Sequence, residues 1–161
     1  MQTRPQTFLF LSLAFFTGCQ CITPPANDSD RPTPTLTVIF NNASGAEETK
    51  FVNTTDHNTD VSVQVPAGRP FTIFYSANDP GGVKTLTLDW KYNKILGSGL
   101  GQQVSPLLAP DDFSSCAKTY RAVNRVHQWE SEARQWQFTL IAVDFKNNFA
   151  NTPKITVSHG P

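Results

Sequence analysis

The chain has 161 residues, and its 13 basic side chains balance 13 acidic ones for a formal net charge of zero at pH 7. No basic block or stripe is present to neutralise phosphates, which argues against a nucleic-acid partner and against electrostatic docking on anionic lipid. Twelve phenylalanines stand against a single methionine, and Thr, Val and Asn recur through the second half, a composition that favours β structure.

In chain order, residues 8–16 read FLFLSLAFF behind MQTRPQT, whose one charged side chain is Arg4. A short positive head, an apolar segment and small residues at its end form a secretory signal peptide over residues 1–18. The apolar segment is too short to cross about 30 Å of hydrocarbon as a permanent helix. Phe16-Thr17-Gly18-Cys19 resembles the lipobox of bacterial lipoproteins, with phenylalanine where that family usually has leucine. The resemblance implies cleavage before Cys19, a diacylglyceryl thioether on its thiol and three acyl chains in all. Gln20 after it implies export to an outer membrane, where the organism has one. The competing reading is a conventional cut in a secreted protein glycosylated at the sequons Asn27, Asn42 and Asn53. The apolar run ends just before Thr17-Gly18-Cys19, so the lipobox is preferred. Cleavage leaves 143 residues, with 12 basic charges against 13 acidic, room for one domain with a real core but not for two.

Residues 19–34 hold Cys19 and the run QCITPPANDSDRPTP, with four prolines and few apolar side chains. Such a stretch buries too little to fold and reads as a disordered tether, reaching roughly 45 Å at about 3.1 Å per residue. Over residues 35–161 the pattern turns to short alternating runs. Leu36, Val38 and Phe40 share a face, as do Val61, Val63 and Val65, and then Phe71, Ile73, Tyr75 and Ala77. After the turn Asn78-Asp79-Pro80-Gly81-Gly82 come Leu86, Leu88 and Trp90. Near the end Trp136, Phe138, Leu140 and Ala142 alternate, and Ile155 and Val157 close the chain. A period of two, in strands of five to eight residues broken by turns, predicts an all-β sandwich. Residues 93–118 read as a long connection. Residues 119–136 fit a helix or a strand, and a strand to about residue 128, with Tyr120, Ala122 and Val126 on one face, is preferred.

The runs VSVQVPAGRPFTIFYSANDPGGVKTLTL, from Val61, and FTLIAVDFKNNFANTPKITV, from Phe138, resemble bacterial immunoglobulin-like domains. Ala77-Asn78-Asp79, Gly82-Val83, and Ala142-Val143-Asp144 with Asn147-Asn148 carry the likeness, over about half of the mature chain. It implies an immunoglobulin-like antiparallel sandwich, here without a disulfide between the sheets.

Chemistry is sparse. His57, His127 and His159 are far apart, and no Cys-x-x-Cys marks a zinc site. Asp79, Asp144 and Asn147 sit in turns that a sandwich places at one end, where they could offer hard oxygens to calcium. The commoner use of Asp in such turns is to cap its own backbone. Gly97-Ser98-Gly99-Leu100-Gly101 opens no helix and is not a phosphate loop, so no cofactor is expected. No GxSxG elbow occurs, and Glu47-Glu48 and Asp111-Asp112 read as solvated turn residues. Trp90 and Trp136 fall in register with the core, while Trp129 does not and is the candidate exposed aromatic. Cys21 and Cys116 form an even pair in an oxidising compartment. A bond between them would draw the domain down to the anchor, so a mobile Cys21 is preferred.

These readings converge on a lipid-anchored module of the cell envelope, without catalytic activity, that takes a protein or glycan ligand. The alternatives are a small periplasmic hydrolase or sugar-processing accessory enzyme, marked by His127, Asp111 or Asp112 meeting Ser114 or Cys116, and an inhibitor or chaperone-like module using an edge strand.

Overall fold

The computed structural model describes residues 21–53, 59–96, 99–104, 109–128 and 134–159. Among them are eleven strands and no helix: β1 (Thr33–Asn41), β2 (Glu47–Asn53), β3 (Val61–Val65), β4 (Phe71–Asn78), β5 (Val83–Leu96), β6 (Gly99–Val104), β7 (Asp111–Asp112), β8 (Tyr120–His127), β9 (Arg134–Asp144), β10 (Phe149–Asn151) and β11 (Ile155–His159). They build two sheets, one in the order β2-β1-β4-β8 and the other in the order β3-β11-β9-β5-β6, with β10 beside β9 and β7 beside β5. The all-β sandwich expected from the alternation is present. It is not wholly antiparallel, because β3 runs parallel to β11, from Val61 opposite Ile155 to Val65 opposite His159. Those two strands are far apart in the chain, so no tight hairpin dictates their direction.

Alternation explains the core. Leu36, Val38 and Phe40 of β1 and Phe71, Ile73, Tyr75 and Ala77 of β4 face Trp136, Phe138, Leu140 and Ala142 of β9 and Ile155 and Val157 of β11, all buried. In β5 the register slips between Val83 and Thr85. This bulge sets an extra residue into the strand, so Val83 and Leu86 both point inward. Trp136 is core as expected, but Trp90 is only half-buried at the sandwich margin. Trp129 lies outside the described residues.

Three expectations need correction. First, residues 21–34 are not a free tether. Pro32 and Pro34 are buried, and Thr33 and Pro34 already pair with Asn78 and Ala77. The Ile22 amide donates to the Ala117 carbonyl at 2.8 Å, and a disulfide joins Cys21 to Cys116. Prolines keep a segment extended, and here a covalent link and β-pairing at its two ends hold it along the sandwich in place of apolar burial. Second, residues 93–118 are not one irregular connection, since β5 continues to Leu96 and β6 and β7 both pair with it. Third, the strand at 120–127 exists, but its faces are exchanged. Tyr75 sits opposite Val123 and Phe71 opposite His127, so Val123 and His127 look inward while Tyr120 and Val126 are exposed. Pairing register, not local apolarity, decides the face of an outer strand.

The sequon residue Asn42 closes the β1–β2 turn. Its side-chain oxygen accepts from the Ser44 and Ala46 amides, both at 3.0 Å, and its amide nitrogen donates to Glu48 at 2.9 Å.

Candidate functional site

One end of the sandwich gathers acidic groups. The β4–β5 turn needs the positive φ of Gly82, 97°, a conformation that glycine alone adopts freely. That turn buries Asp79 completely. The Asp79 Oδ1 accepts from the Gly81 amide at 2.7 Å. In the β9–β10 turn, Asp144 is equally buried. Its Oδ1 accepts from the Lys146 and Asn148 amides, both at 2.8 Å, and its Oδ2 accepts from the Asn148 side chain at 2.7 Å. Both aspartates therefore cap their turns.

They are also neighbours, because β5 and β9 pair with Val83 opposite Asp144. A third carboxylate joins them from the N-terminal segment: one oxygen each of Asp28, Asp79 and Asp144 lies within 4.8 Å of the others. Asp28 spends Oδ1 on the Asp30 amide at 3.1 Å, and its carbonyl accepts from Asn148 Nδ2 at 3.2 Å. Asn147, the third residue suggested by sequence, is placed differently. At φ 65° its side-chain oxygen accepts from Lys84 Nζ at 3.1 Å, and Asn148 takes the supporting place. Burial pushes the Asp79 carboxyl up to about 6, against the Gly81 hydrogen bond, and the Asp28 and Asp144 charges push the same way.

A second feature is a cleft of about 280 Å³ where the two sheets part, lined by Leu88, Trp90, Asp111, Arg125 and His127 over the buried Tyr75. The Tyr75 hydroxyl donates to Asp111 Oδ2 at 2.5 Å and accepts from Arg125 Nε at 2.8 Å. Arg125 Nη2 reaches both Asp111 oxygens, at 3.1 and 3.3 Å. This closed triangle satisfies its own charges. Burial, then the bond to Asp111, pushes the Tyr75 hydroxyl up to about 12, so it stays a neutral donor.

His127 stacks on Phe71, with ring centroids 5.2 Å apart, and meets Trp90 edge-on at 5.9 Å. Burial, then the Arg125 charge, holds its imidazole below the ordinary 6.5. The folded state thus binds this proton less readily than the unfolded chain. The stabilisation is complete above about pH 6.5 and is lost as pH falls through the lowered folded value. Asp79 acts oppositely, since a raised carboxyl favours folding as pH falls. A His127→Gln variant separates the two: its stability deficit against the parent should shrink between about pH 7 and 5 in thermal melts. A deficit independent of pH would rule out this role for His127.

Of this group the sequence pointed to His127 with Asp111, which do line one cleft, but not to Tyr75 or Arg125, because the cleft is assembled from separate strands. Cys116, a candidate nucleophile, has its sulfur in the disulfide. No protein-family model matches the chain, and no curated protein is significantly similar to it.

Proposed function

We propose that this chain is an extracytoplasmic, lipid-anchored module with an immunoglobulin-like sandwich that binds a partner rather than transforming a substrate. The observation that carries the reading is the Cys21–Cys116 disulfide. Such bonds persist in oxidising compartments outside the cytoplasm. The chain has three cysteines; two are consumed by this bond, which leaves the Cys19 thiol for the lipid. Several acyl chains anchor almost permanently, whereas one binds only marginally.

Strand order supports the immunoglobulin-like assignment. β1, β4 and β8 neighbour one another as strands A, B and E do in that fold, and β11, β9 and β5 stand in the order G, F, C. β6, beside β5, takes the place of the added strand of variable-type domains. For the ligand, the cleft offers a half-buried indole, a neutral imidazole and a self-neutralised Arg125–Asp111 pair, which suits an uncharged amphipathic group such as a sugar ring. The hydrolase alternative is weaker, since Asp111 is held by Tyr75 and Arg125.

Replacing Cys19 with serine in the producing cell should move the protein from the detergent phase to the aqueous phase, or leave the precursor uncut. Equal partitioning of variant and parent would sink the lipid anchor.

A further inference from the structure

We infer that Asp28, Asp79 and Asp144 form a calcium-ion site that pins the N-terminal segment to the end of the sandwich. The inference is independent of the anchoring reading. Hydrogen bonds account for most of the carboxylate oxygens in this cluster, but not all. Asp79 Oδ2 and Asp28 Oδ2 are buried and have no hydrogen-bond partner, and Asp79 as a residue is completely buried. A buried carboxylate oxygen left unpaired is expensive, and three carboxylates crowded together repel one another.

Lys84 Nζ, on the adjoining β5, bonds Asn147 rather than the cluster. Among the described residues, the ion pairs that occur are Arg125–Asp111 and Lys154–Asp60, neither of which reaches the cluster. A divalent cation supplies the missing positive charge and takes up both orphaned oxygens.

The donor set selects the ion. All the donors are hard oxygens, which suit calcium or magnesium rather than zinc or copper. Oxygens gathered within 4.8 Å of one another are close enough to close on one cation; calcium takes carboxylates in flexible geometry at about 2.3–2.6 Å, which suits ligands from three separate segments, whereas magnesium demands about 2.0–2.1 Å and near-ideal octahedral geometry. The supports are already built. Asn148 bonds both Asp144 and the Asp28 carbonyl, which holds the N-terminal segment against the β9–β10 turn. Gly81 has no side chain because a Cβ there would overlap Asp28 Oδ2, so its bare backbone makes room for the third ligand.

The test uses the full processed chain with its disulfide intact, stripped of metal with EDTA. Titration with calcium chloride to about 10 mM should raise the melting temperature by several degrees, with half-saturation at about 10⁻⁴–10⁻³ M as in extracellular modules. Magnesium chloride should give less than half of that shift. Asp28→Asn keeps an oxygen for the Asp30 amide but removes a charge. It should weaken the calcium response at least tenfold while melting no lower than the parent in EDTA, because repulsion is relieved. Asp79→Asn should behave alike. An equal melting temperature in EDTA and calcium would overturn the site. So would an equal response to magnesium, or an undiminished calcium response in both variants.

Discussion

Phe138→Ala should lower the folding stability by about 3–5 kcal/mol, through lost transfer energy and the cavity left behind. Phe138 is fully buried at the middle of β9. It lies opposite Trp90 on one neighbouring strand and Ile155 on the other. Its ring meets Phe71 nearly edge-on, 6.1 Å between centroids, and His127 at 5.4 Å. Phe71 stands on the facing sheet, so the vacated volume lies between two sheets that hydrogen-bond ladders hold in place and that cannot simply collapse. Domains of this size have total stabilities of about 5–15 kcal/mol, so the loss is a large share. The matched control is Phe51→Ala on β2, 57 % exposed, which should change stability by less than about 0.5 kcal/mol. Urea unfolding of the three proteins decides it: a Phe138→Ala protein as stable as the Phe51→Ala control would mean that β9 is paired in another register.

The strands that were legible in the sequence are those buried on one face only. β1, β3, β4, β5, β9 and β11 each repeat buried apolar residues two apart, and a period of two admits one inward face. β2 was not legible, since EETKFVN has Val52 as its one buried hydrophobe. Nor was β6, whose sequence GLGQQV carries no alternation. β8 shows how the rule fails. At the margin of a sheet, long or aromatic side chains such as Arg121 and His127 can lie inward with their polar ends at the edge, so Tyr120 and Val126 misled. Arg121 illustrates this directly, with its guanidinium stacked 4.7 Å over the Phe113 ring.

For the acidic site the turns were readable and the partner was not. Asp79 and Asp144 stand in turn sequences that a sandwich brings to one end, and that inference required only the topology. Asp28 lies in a stretch whose composition argues for disorder. Composition reports what a segment can bury, not what is bonded to it. The signal that could have exposed Asp28 was the cysteine count: with Cys19 set aside, Cys21 had one possible partner in the chain, and pairing it brings residues 22–34 against the domain.

That pairing carries the second large expectation. A double Cys21→Ser, Cys116→Ser variant should lose about 4–5 kcal/mol in the chain-entropy account, because the bond spans a sequence separation of 95 residues. A chain that starts at Arg31 should be destabilised comparably, since it lacks the bond and also the hydrogen bonds from Ile22 to Ala117 and from Asn148 to the Asp28 carbonyl. Were residues 21–34 a passive spacer, both proteins would melt with the parent. The outcome also bears on the geometry that the proposed lipid anchor would impose. Cys21 is two residues from Cys19, at most about 7 Å of extended chain, so with Cys19 lipidated as proposed an intact bond would seat the acidic end of the sandwich close to the lipid headgroups. If the double variant instead melts with the parent, the bond adds nothing to the fold. Only a bond absent from the protein would free residues 20–31 to extend, letting the domain stand as much as roughly 37 Å from the proposed anchor. Comparing non-reducing peptide maps with melting curves of the exported protein distinguishes the two arrangements: a linked Cys21–Cys116 peptide with a melting temperature that drops on reduction requires the seated one.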